Sequence, residues 1–164
     1  MSKIIATVFG VGHLRPAPGT WGSFAALVLA YAIYQLGGFW VFAAATIAVI
    51  PLGYWATQAM TADMPDHDPS EIVIDEVAGQ WIALMPVLYG AHFVDSPTLD
   101  LWPGWVTAFI GFRLFDITKP WLVGRADRRN TAWGVMLDDI WAGVFTASIV
   151  IFFAIIAHGI MFLS

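Results

Sequence analysis

Adjacent carboxylates stand at the starts of two long apolar stretches. Asp75-Glu76 begins one and Asp138-Asp139 begins the other, while Asp116 lies at the end of a third. Carboxylates that share a partly buried place repel one another, and each unpaired ion costs several kcal/mol. A hard divalent cation removes that cost, and Mg²⁺ prefers carboxylate oxygens, water and phosphate as ligands. The pattern therefore predicts an Mg²⁺ site formed by Asp75, Glu76, Asp138 and Asp139, with Asp116 as a further catalytic residue.

Each acidic pair is followed by a glycine. The segment Ile-Asp-Glu-Val-Ala-Gly at 74–79 parallels Leu-Asp-Asp-Ile-Trp-Ala-Gly at 137–143. Gly79 lies one helical turn after Asp75, and Gly143 lies one turn after Asp139. Small residues let membrane helices approach closely, so both pairs could reach one ion. In the alternative interpretation, Asp75 and Asp138 are only N-terminal charges favoured by the helix dipole.

Two cations bracket Asp116 at helical spacing. Arg113 precedes it by three residues and Lys119 follows it by three. An arginine binds phosphate in bidentate fashion and a lysine binds it as a point charge. We therefore predict that Lys119 is catalytic and that Arg113 binds substrate. The alternative for Arg113 is a side chain that extends to lipid headgroups.

A glycine- and proline-rich segment, residues 10–23, leads into the first long apolar stretch. Backbone amides at a helix N-terminus favour an anion, and two hydroxyl groups in this segment could add hydrogen bonds. We predict substrate binding by Arg15, Gly19, Thr20 and Ser23. The alternative is a tight turn followed by a helix N-cap.

The composition favours a membrane-embedded protein. The 164 residues suit one domain, and they are 59% hydrophobic and 12% charged, with a mean hydropathy of +0.74. Soluble domains carry about 25% charged residues, so the chain lacks the charges that a water-facing surface needs. No cysteine is present, which excludes disulfides and thiolate metal sites. We expect a lipid bilayer and a membrane phospholipid as partners, and no nucleic acid.

The apolar stretches predict an all-α bundle of about five membrane helices. Because about 20 residues cross the hydrocarbon core, the uncharged run after Arg15 is long enough for two spans, with a break at Gly37-Gly38. The predicted helices are Ser23–Leu36, Phe39–Met60, Ile72–Tyr89, Trp102–Thr118 and Asp138–Leu163.

Five spans place every basic residue on or near one side of the membrane. These residues are Lys3, Arg15, Arg113, Lys119, Arg125, Arg128 and Arg129. The positive-inside rule makes that side cytoplasmic. The acidic site is then at the cytoplasmic ends of the helices.

Four stretches together resemble the phosphatidylglycerophosphatase A family of bacterial membrane phosphatases. They are Gly10–Gly12 with Ala17–Ser23, Asp68–Gly79, Phe112–Trp121, and Gly134–Asp139 with Ala142-Gly143. Their order and spacing fit the family, and they extend over nearly the whole chain. The chain differs from the family pattern at Leu122, where a proline is usual, and at Thr131-Ala132, where two glycines are usual.

The resemblance implies a single domain, residues 1–164, in the bacterial inner (cytoplasmic) membrane. It implies Mg²⁺-dependent hydrolysis of phosphatidylglycerophosphate to phosphatidylglycerol and phosphate, a step of phospholipid biosynthesis. The nucleophile stays open between a water and a carboxylate, and Asp116 between a ligand, a base and a partner of Lys119. The alternative function is a small ion-coupled transporter, because acids within membranes often mark ion paths.

Overall fold

All regular structure among the described residues is helical, as predicted. The computed structural model describes residues 1–64, 69–129 and 131–163, with side chains as far as residue 157 in the last helix. The helices are α1 (Ser2–Ala6), α2 (Pro18–Thr61), α3 (Ile74–Phe93), α4 (Trp102–Thr118), α5 (Leu122–Asp127) and α6 (Ala132–Leu163). Short 3₁₀ turns cover Val11–His13 and Thr98–Leu101.

Helix α2 folds back on itself at Gly38. This glycine has a φ of 72°, a backbone conformation that glycine adopts at little cost. The indole N–H of Trp81 donates to the carbonyl of Ala26 at 2.9 Å, and the same ring packs against Phe42. Ala26 and Phe42 would lie about 24 Å apart along a straight helix. Since both contact Trp81, residues 18–37 and 39–61 form a hairpin, and the predicted break at Gly37-Gly38 is confirmed.

Both ends of this hairpin meet the start of α3. A Cβ added to Gly22 would lie 2.7 Å from the Cβ of Val73, and one added to Gly53 would lie 3.3 Å from Cγ1 of Ile74. The N-terminal segment joins them there, because the amide of Val73 donates to the carbonyl of Ala6 at 2.9 Å. One end of the bundle therefore gathers the chain ends of α1, α2 and α3.

Helices α3 and α6 cross at two glycines. A Cβ added to Gly79 would lie 2.5 Å from the carbonyl oxygen of Asp139, and one added to Gly143 would overlap the carbonyl of Gly79. The close approach predicted from these two glycines is therefore confirmed. It fixes Asp139 beside the first turns of α3.

Two helices begin earlier than the sequence predicted. Helix α2 begins at Pro18 and not at Ser23, because proline suits the first helical position, where no amide bond is needed. Helix α6 begins at Ala132 and not at Asp138, because the hydroxyl of Thr131 accepts a hydrogen bond from the amide of Gly134 at 3.0 Å and acts as an N-cap. Asp138 therefore lies well inside α6, and the interpretation of Asp138 as a helix-terminal charge is wrong.

In the part of the chain that the structure describes, two helices are long and apolar enough to cross a membrane. They are α2, which is divided at Gly38, and residues 132–157 of α6. The five long helical segments match the five that were predicted, but that each of them crosses a membrane stays a prediction.

Candidate active site

A cavity of about 190 Å³ opens at the end of the bundle where α3 begins and α4 ends. It is lined by Pro18, Gly19, Ser70, Ile72, Asp75, Glu76, Arg113, Asp116, Lys119, Asp138 and Asp139. All six residues predicted to be catalytic are among them, together with Gly19 and Arg113. Residues separated by more than a hundred positions in the chain therefore meet in one place.

Three of the carboxylates that line the cavity form a cluster. Asp75, Glu76 and Asp139 each offer one oxygen atom, and these three atoms lie within 4.8 Å of one another. Asp75 and Asp139 are buried. Oε2 of Glu76 is also buried and has no hydrogen-bond partner among the described residues. An all-oxygen set with an unpartnered buried carboxylate oxygen fits a hard divalent cation such as Mg²⁺.

Asp138 faces a different group from its neighbour. Its Oδ2 accepts a hydrogen bond from Nζ of Lys119 at 3.0 Å, and its Oδ1 accepts one from the backbone amide of Asp139 at 3.1 Å. Successive side chains on a helix point about 100° apart, so Asp138 and Asp139 are directed to different partners. The contacts make Asp138 a partner of Lys119, and its role as a metal ligand stays a prediction.

Arg113 is held inside the cavity by three contacts. Its Nη1 lies 2.5 Å from Oδ2 of Asp116, 3.4 Å from the hydroxyl of Ser23 and 4.0 Å from Oε1 of Glu76. The side chain is only 15% exposed. This geometry favours a site residue over the alternative in which Arg113 extends to lipid headgroups.

The first turn of α2 forms one wall of the cavity. A Cβ added to Gly19 would overlap Oε1 of Glu76 and would lie 3.0 Å from Nη1 of Arg113. A larger residue at this position would displace the ends of the Glu76 and Arg113 side chains. The segment Gly19–Ser23 is helical and is not the loop that was expected. Arg15, Thr20 and Ser23 are not among the residues that line the cavity; their role in substrate binding stays a prediction.

Lys119 contacts a residue that the sequence did not single out. Its amine forms ion pairs with the carboxylates of Asp127 and Asp138. Partial burial disfavours the charged amine, but the hydrogen bond to Asp127 and the charge of Asp138 outweigh it and raise the pKa of Lys119. Asp127 ends the short helix α5, which lies in a segment that was expected to be a loop, so no spacing in the sequence indicated this contact.

The site carries more negative than positive charge. Among the described residues that line the cavity there are five acids, Asp75, Glu76, Asp116, Asp138 and Asp139, and two cations, Arg113 and Lys119. Three negative charges are uncompensated when all five acids are ionised. Buried charge of one sign needs a counter-ion, which is the role that a bound divalent cation would fill.

Of the residues in the motif that precedes Asp75, Asp68 lies outside the described residues.

Comparison with known proteins decides the family. The model of the phosphatidylglycerophosphatase A family matches residues 4–154. The chain belongs to this family. The resemblance seen in its four motifs is therefore confirmed.

Curated phosphatidylglycerophosphatase A proteins resemble the chain along most of its length. The protein from Haemophilus influenzae is 36% identical over 153 residues, which cover 93% of this chain and 86% of the relative. The protein from Escherichia coli K12 is 37% identical over 152 residues, with coverages of 91% and 81%. A Bacteroides thetaiotaomicron protein, named as a candidate phosphatidylinositol-3-phosphatase, is 36% identical over 148 residues, with coverages of 87% and 87%. No solved structure matches the chain.

Membership of the phosphatidylglycerophosphatase A family makes the chain an enzyme of the phosphatase class. The transporter alternative has no support from these relatives. The acids lie at one end of the bundle, beside Arg113 and Lys119.

Proposed function

We propose that the chain hydrolyses the phosphate monoester of phosphatidylglycerophosphate, releasing phosphatidylglycerol and inorganic phosphate with Mg²⁺ as cofactor. The observation that carries the proposal is one cavity that combines three clustered carboxylates with Arg113 and Lys119. Carboxylates suit a divalent cation and the two basic side chains suit a phosphate. Membership of the phosphatidylglycerophosphatase A family supports the choice of lipid.

Each group in the cavity has a distinct task in this reaction. Asp75, Glu76 and Asp139 would hold the ion, which would supply polarisation of a phosphate oxygen and orientation of the attacking group. Arg113 and Lys119 neutralise the remaining phosphate charge, and the N-terminus of α2 at Gly19 adds a favourable dipole. Phosphoryl transfer needs mainly such positioning and charge stabilisation.

Asp116 holds Arg113 and lies beside the ion ligands. It contacts Nη1 of Arg113 at 2.5 Å and lines the same cavity as Asp139. From this place it can orient Arg113 or accept a proton from an attacking water. In the reaction the bond between phosphorus and the glycerol oxygen breaks, the phosphoryl group passes to water, and the proton lost by the water goes to the glycerol oxygen as phosphatidylglycerol leaves. Aspartate can also form an acyl phosphate, and trapping with hydroxylamine would identify such an intermediate.

We further propose a five-span protein of the bacterial inner membrane with the cavity facing the cytoplasm. Large apolar side chains are exposed on the outer faces of the long helices, such as Trp40 at 69% and Ile155 at 66%. A bilayer would cover these side chains. The basic residues lie near the cavity end of the bundle, in agreement with the positive-inside rule.

Single cysteines test this orientation cleanly because the chain has none of its own. Leu99 lies at the end of the bundle opposite the cavity and Arg129 lies near the cavity, and each is replaced by cysteine in a separate variant. A membrane-impermeant maleimide should label Leu99→Cys on intact cells and Arg129→Cys only after lysis. The reverse pattern would contradict the orientation.

Phosphate release from purified protein tests the function. We expect release from phosphatidylglycerophosphate in detergent with Mg²⁺, and none with a chelator. A second candidate substrate is phosphatidylinositol 3-phosphate, which the name of the Bacteroides thetaiotaomicron relative favours. A higher kcat/KM for phosphatidylinositol 3-phosphate than for phosphatidylglycerophosphate would make phosphatidylinositol 3-phosphate the preferred substrate. Equal release with and without the chelator would contradict the role of Mg²⁺.

A further inference from the structure

The amine of Lys119 is shared between two carboxylates that differ in exposure. Asp138 lies in the cavity lining with its side chain 7% exposed, whereas the side chain of Asp127 is 35% exposed and lies outside the lining. We propose that Asp127 is a positioning residue for the phosphatase reaction: it holds the amine of Lys119 at the mouth of the cavity, where the substrate phosphate enters. This inference rests on the proposed function.

The turn at the end of α4 and the short helix α5 return the chain to Lys119, so that Asp127 lies beside it. Lys119 ends α4 with a φ of 45°, and its amide donates to the carbonyl of Phe115 at 2.9 Å. Helix α5 then starts at Leu122 and ends at Asp127. A Cβ added to Gly124 would lie 2.5 Å from the carbonyl oxygen of Lys119, so α5 packs closely on the end of α4. Asp127 thus returns to Lys119 only eight residues later.

The number of donors on the amine leaves room for substrate. A lysine ammonium group has three hydrogen-bond donors and no acceptor. The contacts found in the described part of the chain use two of them, one to Asp127 and one to Asp138. The third is available to a phosphate oxygen. Lys119 can therefore bind substrate without releasing either carboxylate.

Asp127 matters because Asp138 alone would direct the amine differently. With one buried carboxylate as its only partner, the flexible side chain of Lys119 would form a single inward ion pair and would sample other rotamers. A second carboxylate on the more exposed side fixes the amine between the two. Substrate binding then costs less side-chain entropy, because the lysine is already ordered.

Chemical labelling detects the ion pair between Lys119 and Asp127 independently of catalysis, through the protonation and accessibility of the amine. The chain contains only two lysines, Lys119 and the exposed Lys3, so Lys3 serves as an internal reference. Acetic anhydride acylates only free amines, and two carboxylates keep the Lys119 amine charged. Asp127→Asn should increase the acylation rate of Lys119 relative to Lys3 by about 3- to 10-fold, as loss of a charge-assisted hydrogen bond implies. The same ratio as in the wild type would overturn the inference.

Asp100→Asn is the matched control. It makes the same chemical change at an exposed acid beyond the far end of α3. We expect no change in the labelling ratio for this variant. A rise equal to that of Asp127→Asn would mean that overall charge sets the ratio, and the inference would be wrong.

Kinetics separate positioning from a purely structural role of Asp127 in α5. Asp127→Asn should raise KM for the lipid phosphate about 5- to 20-fold and change kcat little, because it removes ordering of a binding group. In a Lys119→Met background the same change should have no further effect. An equal loss in both backgrounds would show that Asp127 only holds α5, and this would overturn the inference. Asp127→Glu should restore most of the wild-type KM.

The two proposals fail in different ways. A wild-type protein that releases phosphate from no lipid would contradict the proposed function, whatever the labelling ratio. An active wild type with an unchanged Lys119 labelling ratio in Asp127→Asn would contradict only the role of Asp127.

Discussion

The two acidic pairs look alike in the sequence and differ in the structure. In each pair the first carboxylate accepts a hydrogen bond from the backbone amide of the second, at 3.0 Å in Asp75-Glu76 and 3.1 Å in Asp138-Asp139. Beyond this shared contact they diverge. Both members of the first pair enter the carboxylate cluster, whereas the second pair contributes Asp139 to the cluster and Asp138 to Lys119.

The crossing glycines explain the difference. Counted back from Gly79 and Gly143, the equivalent acids are Asp75 and Asp139, each one helical turn before the crossing. Their neighbours therefore lie on opposite sides, since Glu76 follows its partner and Asp138 precedes its own. One residue turns a side chain by about 100° on a helix. The register of the crossing, and not adjacency in the chain, decides which acids meet.

The largest expected effect is at the equivalent acids. Asp139→Asn or Asp75→Asn should lower kcat/KM by at least about 1,000-fold, or about 4 kcal/mol, because each removes a proposed ion ligand. We expect Mg²⁺ to stabilise the wild type against heat, since a ligand stabilises the state that binds it, and either variant should lose this stabilisation. Melting curves in detergent, with and without Mg²⁺, check this second effect. Full activity of either variant would contradict the metal site.

A smaller effect is expected at Asp138. Asp138→Asn should lower kcat/KM by about 10- to 100-fold, the range typical of residues that orient a ligand or catalytic group. The Mg²⁺ concentration for half-maximal activity should change less than the rate, because Asp138 faces Lys119. Titrations of Mg²⁺ against rate measure both quantities. If Asp138→Asn and Asp139→Asn raise the Mg²⁺ requirement equally, the two acids are equivalent and the comparison above is wrong.

The crossing of α3 and α6 can be tested by adding a single methyl group at Gly79. Gly79→Ala should lower the free energy of unfolding by about 1–3 kcal/mol, the usual cost of overpacking, because the added Cβ would lie 2.5 Å from the carbonyl of Asp139. Gly90→Ala, on the same helix, is the control, since its Cβ would meet only Leu101 at 3.8 Å. Thermal denaturation in detergent compares the two. Equal melting temperatures would show that the crossing tolerates a side chain.

The smallest effect is expected one residue beyond the crossing. Gln80 is fully buried, and neither polar atom of its amide has a hydrogen-bond partner in the described part of the chain. Its counterpart after Gly143 is the apolar Val144. Gln80→Met should raise the free energy of unfolding by about 1 kcal/mol, because it removes an unpaired buried amide, and should leave activity within about twofold of wild type. A tenfold loss of activity would mean that the amide takes part in the site.

Local signals made part of this structure predictable. Gly37-Gly38 marked the turn of the hairpin, and the acids marked the starts and ends of helices that converge at one end. Asp75 lies in the first turn of α3 and Asp116 in the last turn of α4, as the sequence indicated. A change between polar and apolar residues along the chain marks the start or the end of such a helix.

Other features depend on contacts that a linear pattern does not contain. The start of α6 is set by the hydroxyl of Thr131, and the polar residues around it are equally typical of a loop. Asp127 reaches Lys119 only because α5 forms, and a helix of six residues leaves no periodicity to detect. The separation of Asp138 from Asp139 follows from the rotation of α6 against α3, which packing fixes.

The contact between Ala6 and Val73 has a practical consequence for protein production. Val73 lies two residues before Asp75, and its amide donates a hydrogen bond to the carbonyl of Ala6, the last residue of α1. A purification tag or fusion partner attached ahead of Ser2 would therefore disturb the segment that positions the first acidic pair. A tag after the end of α6 avoids this, because that end is remote from the cavity along a 32-residue helix. Enzymes of this kind that are inactive with an N-terminal tag should be re-cloned with the tag at the other end before the catalytic residues are questioned.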